Sequence, residues 1–429
     1  MKIKLFPSSS NGVAETSPSK SITHRAIICA SFCKNATSII NPLISDDTIA
    51  TIKAMKMMGV KFEYDKKNTE LKIIPPKKLS AINGIIDCNE SGTTFRFLLP
   101  IILSFQNVVT FMLGERLLNR ITEKELQELK VDYTKSENNI TFFKRDDSSI
   151  VLNDWDTTQY ISGSLIAGAI DPKQNTIKIK NKALNSYITL TLDIMEKFGI
   201  KYSITNTLND ITNEFCTEVS IINSSFTSPK NFFVEGDYSN AANILVGGLV
   251  GNKAICKGLY PSSLQGDSRI IDIIKMIGGN ISIGTNLITT SASNLKPLEI
   301  SLDDIPDLGP LLIGLATIID GTSIFTNYHR LFNKESNRLA DTIQILYTLG
   351  ASITIDKLSQ KLIVNGQNLL SGGVSVDTKN DHRLLFMLFV VSNKIISPIE
   401  IENASCYSKS FPNFLREMNN LGYKFQIEE

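Results

Sequence analysis

Ser19-Lys20-Ser21-Ile22-Thr23-His24-Arg25 places an ammonium, hydroxyls and a guanidinium at the head of what reads as a strongly apolar helix. Free backbone N–H groups and the helix dipole favour an anion there. Ser21 and Arg25 are four apart and share one helix face. A capped helix start with solvated bases is the plainer reading of any lone Ser-x-x-x-Arg. The same arrangement recurs, however. Asn89-Glu90-Ser91-Gly92-Thr93-Thr94-Phe95-Arg96 offers hydroxyls at a helix start, and Gly92 lets a ligand approach the backbone. Gly114-Glu115-Arg116-Leu117-Leu118-Asn119-Arg120 is a loop with two arginines, and Asp156-Thr157-Thr158-Gln159-Tyr160 is polar at the head of another apolar helix.

The second half adds acids. Asp303-Asp304-Ile305-Pro306-Asp307 precedes the apolar run from Leu308. Asp at an N-cap is normally structural, but three carboxylates at one helix mouth point to a tuned base. Asn333-Lys334-Glu335-Ser336-Asn337-Arg338 follows, with Arg330, Lys334 and Arg338 spaced by four, as on one helical face. Cations oppose the dipole at a helix start, and an anionic ligand would relieve that conflict. Asn380-Asp381-His382-Arg383 and Ser408-Lys409-Ser410-Phe411-Pro412 close the series.

This is chemistry for small polyanions: many cations, a few acids, hardly a nucleophile. No Walker lysine loop is present and no GxGxxG follows a strand. Six cysteines form no CxxC pair and there are three histidines, so neither a zinc motif, a His-based metal site nor a disulfide framework is expected. A net charge of +1 argues against a nucleic-acid coat or a polybasic membrane binder. No apolar run reaches the roughly 18–20 residues needed to span a bilayer, and the first residues show no signal-peptide pattern, so a cytosolic protein is expected.

The elements that position these groups repeat. An amphipathic helix, a glycine and an alternating strand recur around Gly59, Gly199, Gly278, Gly350 and Gly422, with a degenerate copy at Leu129-Lys130-Val131, at intervals of 69 to 79 residues. Glycine there suits a left-handed helix C-cap. Helices apolar nearly all round, starting near Ser21, Thr93, Gln159, Ser239, Leu308 and Asp381, alternate with this phrase and should be buried. The length of 429 residues and six units of about 70 residues predict an α/β chain of two pseudo-symmetric domains, three units each, with buried helices central and sheets around them. The seam should fall near Phe233-Val234-Glu235-Gly236-Asp237, with helix mouths from both halves meeting at one cleft.

Taken in order, these motifs resemble the 5-enolpyruvylshikimate-3-phosphate synthase family over essentially the whole chain: SKSxxxR, SGTTxR, KESxR, NDHR and KSFP. The resemblance implies a two-domain inside-out α/β barrel of six βαβαββ units, three per domain. It implies residues 1–18 joined with 235–429 in one domain, 19–234 in the other, and hinges near 18–20 and 233–237. The two would close on substrate. The implied reaction moves the enolpyruvyl group of phosphoenolpyruvate to the 5-hydroxyl of shikimate 3-phosphate, on the route to chorismate and aromatic amino acids. No cofactor, metal, nucleic acid or membrane is implied, and a monomer is expected. Lys20 would contact both substrates and join Asp307 and Glu335 in the catalytic set. Ser21, Arg25, Thr157, Thr158, Gln159, Ser186, Asp307, Arg330 and Lys334 would hold shikimate 3-phosphate. Gly92, Arg120, Gln159, Glu335, Arg338, Arg383 and Lys409 would hold phosphoenolpyruvate. Asp307 would take the proton of the attacking hydroxyl, and Glu335 would shuttle one at the methylene carbon.

Some positions depart from the family. Ile121 replaces a proline after Arg120, which should loosen that loop. Asn337 replaces the usual aspartate, and Thr157-Thr158 replaces Ser-Ser. Arg330 stands where some members have asparagine, and the segment around Ser186 is one residue short. The resemblance also implies competition between glyphosate and phosphoenolpyruvate. A methyl at Gly92, whose wall should be backbone, would intrude on the longer glyphosate first. The rival readings are an enolpyruvyl transferase acting on a UDP-sugar, an RNA-end-processing enzyme with related units, and an inactive scaffold homologue. The Gly114–Arg120 loop lacks the cysteine typical of the first, the neutral charge opposes the second, and Lys20, Asp307, Glu335 and Arg383 oppose the third.

Overall fold

The computed structural model describes residues 1–129, 131–144, 150–153, 157–180, 184–209, 214–223 and 225–428. Lys130 and Asp156, both singled out above, lie outside the described residues. The chain divides into two compact units: unit 1 is Met1–Pro18 with Glu235–Glu429, and unit 2 is Ser19–Val234.

Each unit contains three four-stranded sheets, and all six sheets share one strand order. The sheet of the SGTT segment shows it. Ile85–Asn89 runs parallel to Val108–Leu113, which pairs antiparallel with Asn139–Phe143, which pairs antiparallel with the edge strand Asp132–Ser136. The connection between the two parallel strands contains a buried helix, here Gly92–Leu103, and the next connection contains outer helices. Parallel pairing requires such a crossover.

Two sheets of unit 1 recruit the N-terminus. Lys2–Leu5 lies between Ile399–Glu402 and Phe425–Glu428, antiparallel to both, and Asn11–Glu15 runs parallel to Lys253–Lys257. In unit 2, Asn231–Phe233 closes back in parallel on Thr37–Ile40. The topology is the βαβαββ unit, repeated.

The six apolar helices are Lys20–Ser31, Gly92–Leu103, Gln159–Ile170, Tyr238–Val250, Gly309–Thr317 and His382–Val391, and each is buried along nearly its whole length. They form two separate cores, one per unit. The anchor glycines behave as their spacing predicts. Gly59, Gly199, Gly278, Gly350 and Gly422 all have φ between 81° and 93°, the left-handed region that reverses a helix into the following strand. Close approach is set elsewhere by Gly163. A Cβ there would lie 2.6 Å from the Phe97 carbonyl oxygen and 2.7 Å from Pro100 Cγ, so only glycine lets Gln159–Ile170 pack against Gly92–Leu103. That contact brings Gln159 beside Thr93.

Candidate active site

In unit 2 the polar heads of three buried helices share one hydrogen-bonded framework. Ser19 caps Lys20–Ser31, its Oγ accepting from the Ile22 N–H at 3.4 Å. Lys20 Nζ donates to Asp47 Oδ2 at 2.9 Å, with both side chains largely enclosed. Behind them runs a chain of hydroxyls: His24 Nδ1 to Thr51 at 2.8 Å, Thr51 to Thr94 at 2.7 Å, Thr94 to Ser91 at 2.7 Å, and Thr94 to the Asp47 carbonyl at 3.2 Å. Burial pushes His24 down to about 3, so its ring is neutral. His24 thus belongs to the scaffold that fixes Asp47 and, through it, Lys20.

Arg25 is 3 % exposed. Its Nε donates to Thr191 Oγ1 at 2.8 Å, Nη1 to the Ser21 carbonyl at 2.9 Å, and Nη2 to Ser162 Oγ at 3.4 Å and the Tyr187 carbonyl at 3.2 Å. Ser21 and Arg25, expected on one helix face, thus meet through the Ser21 carbonyl. Burial lowers Arg25 to about 10, which still keeps it charged at neutral pH. Ser186 opens the helix Ser186–Lys197, capped by Asn185, and its buried Oγ has no hydrogen-bond partner among the described residues. An enclosed hydroxyl without a partner is one that a ligand can satisfy.

Gln159 is held at both ends of its amide. Nε2 donates to Thr93 Oγ1 at 2.8 Å, and Oε1 accepts from Arg96 Nη1 at 3.4 Å. Thr157 Oγ1 accepts from the Gln159 N–H at 3.2 Å, while Thr158 is buried. A Cβ on residue 92 would meet side chains: Arg96 Nη1 at 2.8 Å, Leu117 Cδ1 at 3.5 Å and Arg120 Nη2 at 3.8 Å. The loop after Arg120 is also tied down despite lacking proline. Ile121 is buried, Thr122 caps Glu123–Glu128, and Glu125 pairs with Arg96 at 2.7 Å.

Unit 1 assembles its set around one guanidinium. Arg338 is fully buried. Its Nε donates to Asp381 Oδ2 at 2.8 Å, Nη1 to Asp307 Oδ1 at 2.8 Å, and Nη2 to Asp381 Oδ1 at 3.2 Å and to Glu335 Oε2. Burial works against this charge, but Asp381, Glu335 and Asp307 outweigh it and hold Arg338 protonated. Asp307 gathers two more cations, Lys334 at 3.6 Å and Arg383 at 3.5 Å. Burial opposes its ionisation, yet Lys334, Arg383 and Arg338 press its carboxyl well below the usual range. Desolvation lowers Lys334, with Asp307 opposing. Arg383 Nη1 also donates to Asn240 Oδ1 at 2.8 Å, whereas its buried Nε has no partner among the described residues. Arg330 Nη1 donates to the Asp303 carbonyl at 3.0 Å, and Lys409 Nζ reaches the Asn380 carbonyl at 3.3 Å.

Three expectations are corrected here. Asp307 is not an N-cap. It lies in a 3-10 turn, Pro306–Leu308, and Leu308 stands at the cap of Gly309–Thr317. The side chain is thereby turned from backbone N–H groups to the cations. Arg330, Lys334 and Arg338 do not share a helical face, since Arg330 lies within the 3-10 stretch Tyr328–Leu331, Lys334 lies in a bend and Arg338 begins a helix. Arg338 at that helix start needs no ligand to offset the dipole, because Asp307, Glu335 and Asp381 pair with it. Asn337 has a local reason: it caps Arg338–Thr348, accepting from the Ala340 N–H at 3.3 Å.

The partners Asp47, Glu125, Asp381 and Asn240 were not assigned from sequence, and neither was Asp267. Asp267 is 3 % exposed and bonded to Ser239, with its Oδ1 unpartnered among the described residues. Burial foremost, then the Asp307 charge, push it up to about 7. A raised acid pKa means that the folded state binds the proton more tightly than the unfolded chain, so stability falls as pH rises from about 4 to about 7. Asp267→Asn removes this penalty. Its melting temperature relative to wild type should therefore be higher at pH 8 than at pH 5, by roughly 2–4 °C for each kcal/mol recovered at this unit size. A difference that does not change with pH would show that Asp267 is ionised throughout.

Solved structures share this architecture. An EPSP synthase from Acinetobacter baumannii superposes with a TM-score of 0.77, 20% identity and full coverage of both chains. The enolpyruvyl transferase NikO from Streptomyces tendae superposes at 0.72 with 14% identity, covering 99% of this chain and 98% of its own. The fold is therefore that of the enolpyruvyl transferases. Sequence narrows the class: the family model for EPSP synthase (3-phosphoshikimate 1-carboxyvinyltransferase) matches residues 7–418. A 3-phosphoshikimate 1-carboxyvinyltransferase of Clostridium novyi (strain NT) is 33% identical over 436 residues, 98% of this chain and 97% of the relative. The chain belongs to the EPSP synthase family.

Proposed function

We propose that this protein transfers the carboxyvinyl group of phosphoenolpyruvate to the 5-hydroxyl of shikimate 3-phosphate and releases inorganic phosphate. The observation that carries the reading is the sharing of Arg338: one buried guanidinium binds Asp307 and Glu335 through different nitrogens. A proton acceptor and a proton donor are thereby held at fixed separation, as an addition across a double bond requires. The hydroxyl oxygen attacks C2 of phosphoenolpyruvate as its proton passes to Asp307, and Glu335 protonates the methylene carbon. The resulting tetrahedral adduct loses phosphate, which takes up the proton held on Asp307, and Glu335 recovers a proton from the methyl group, restoring the vinyl double bond.

Asp307 is strongly acidic while all three cations face it. Lys334 is the most distant of them, at 3.6 Å. As Lys334 and Arg330 take the phosphate of shikimate 3-phosphate, the hold on Asp307 weakens and its basicity rises. Ser21, Arg25, Thr157, Thr158, Gln159 and Ser186 bind the same substrate from unit 2. Arg120, Arg338, Arg383 and Lys409 carry the phosphate and carboxylate of phosphoenolpyruvate, Gly92 gives it room, and Lys20 touches both molecules. Two substrates with four anionic groups favour forked arginines. The enzyme is proposed to act as a cytoplasmic monomer without cofactor, metal, nucleic-acid or membrane partner. A net charge of +1, and the absence among the described residues of a helix long and apolar enough to cross a membrane, support that reading.

The direct test is phosphate release from phosphoenolpyruvate with and without shikimate 3-phosphate, with a UDP-sugar as the control acceptor. Release only with shikimate 3-phosphate is expected. Release that needs the UDP-sugar instead would overturn the assignment.

A further inference from the structure

Arg96 and Glu125 form an ion pair that the site roles above leave unused. Both lie in unit 2, 29 residues apart. Arg96 is 4 % exposed, and its Nε and Nη2 donate to the two oxygens of Glu125 at 2.7 and 3.5 Å. Its guanidinium carbon lies 5.8 Å from the centre of the Tyr160 ring. With one edge forked onto the carboxylate and one face against the ring, the guanidinium has a single orientation left. That orientation turns Nη1 toward Gln159 Oε1, 3.4 Å away, and to within 2.8 Å of where a Cβ on residue 92 would stand.

We propose that Glu125 is a positioning residue, which fixes the Arg96 guanidinium as the wall beside Gly92 and thereby sets the room there for phosphoenolpyruvate. The proposal rests on the placement of phosphoenolpyruvate at Gly92 given above. A lone arginine would be a yielding wall, because the end of a long side chain can swing aside. Clamped by Glu125, it becomes as unyielding as a backbone segment. The clamp also joins two elements. Glu125 lies in the first turn of Glu123–Glu128, capped by Thr122 and anchored by the buried Leu126, while Arg96 rises from Gly92–Leu103. The segment following Arg120 is thus tied to the helix that begins at Gly92.

The test is a cycle of wild type, Gly92→Ala, Glu125→Gln and the double variant, read as KM for phosphoenolpyruvate and kcat at saturating shikimate 3-phosphate. Against a clamped Arg96 the added methyl should raise KM about 10-fold, within the span that overpacking a rigid site produces. In the Glu125→Gln background Arg96 can retreat, and the same methyl should raise KM about 3-fold or less. Glu125→Gln alone should shift KM more than kcat. Equal factors for Gly92→Ala in both backgrounds would overturn the proposal. Melting temperatures of the four proteins provide the same cycle without turnover: Gly92→Ala should lower the wild-type value more than that of Glu125→Gln, and equal decrements would again overturn it. If Glu125→Gln does not fold, Glu125→Asp, which keeps the charge but shortens the reach, takes its place with the same outcomes. A wild type without phosphate release dependent on shikimate 3-phosphate would sink the functional reading, while the melting cycle would still decide the clamp.

Discussion

Asp307→Asn is expected to lower kcat by roughly 10²–10⁴, the range for loss of a general base. The amide is nearly isosteric and keeps an oxygen for Arg338 Nη1, which donates to Asp307 at 2.8 Å. It cannot accept the hydroxyl proton. The variant also loses the negative charge facing Lys334 and Arg383, so some stability should go as well. That second effect differs from the simple loss of a cap, because the structure puts Asp307 among cations rather than on backbone N–H groups. The two effects separate experimentally. Turnover is measured at a temperature where circular dichroism shows the variant folded, and affinity for shikimate 3-phosphate is measured by calorimetry. A folded variant that binds shikimate 3-phosphate but does not turn over places Asp307 in the chemistry. Near-normal turnover would remove it from the mechanism.

What sequence reveals of this protein is what is local in the chain. The helix–glycine–strand joint is set within about ten residues, so Gly59, Gly199, Gly278, Gly350 and Gly422 could be read one by one, and each adopts the positive φ expected of it. The six buried helices are equally legible, because an all-round apolar run has nowhere to go but a core. The cationic and acidic members of the site stand within recognisable motifs. Their partners do not. Asp47 reaches Lys20 across 27 residues, Asp381 reaches Arg338 across 43 and Asp307 reaches Arg383 across 76. Which carboxylate neutralises which cation is decided by the packing of separate elements, in the last two cases from different repeats, and no periodicity records it. The same blindness produced the wrong local readings. Spacing by four made Arg330, Lys334 and Arg338 look like one helical face, and an aspartate before an apolar run looked like a cap. In both cases the tertiary ion pairs override the local preference.

Arg338 should be the most costly single residue to lose from unit 1. Its guanidinium serves Asp381, Asp307 and Glu335 at once, and Asp381 is fully enclosed. Asp381 is committed elsewhere too, accepting the Arg383 N–H at 2.9 Å at the head of His382–Val391. Arg338→Met keeps the length and removes the charge, leaving the buried Asp381 and the half-buried Asp307 and Glu335 without their shared cation. Breaking a buried pair from one side typically costs about 3–5 kcal/mol. At about 2–4 °C per kcal/mol for a unit of this size, the melting temperature should fall by roughly 6–20 °C. The deficit should also depend on pH. In the wild type the depressed Asp307 adds stability that is present above the ordinary carboxylate range and lost only as pH falls through its own lower value. Without Arg338 that contribution shrinks, and protonating the abandoned carboxylates becomes favourable at mildly acid pH. The gap between wild type and variant should therefore be widest near pH 8 and narrow toward pH 5. Replacing Asp381 as well, in Arg338→Met/Asp381→Leu, should recover part of the loss, because a buried ion pair exchanged whole for apolar side chains costs less than one broken in half. A gap that is small, or the same at both pH values, would mean that the three carboxylates are neutral or solvated already, and that Arg338 does not hold this cluster of unit 1 together.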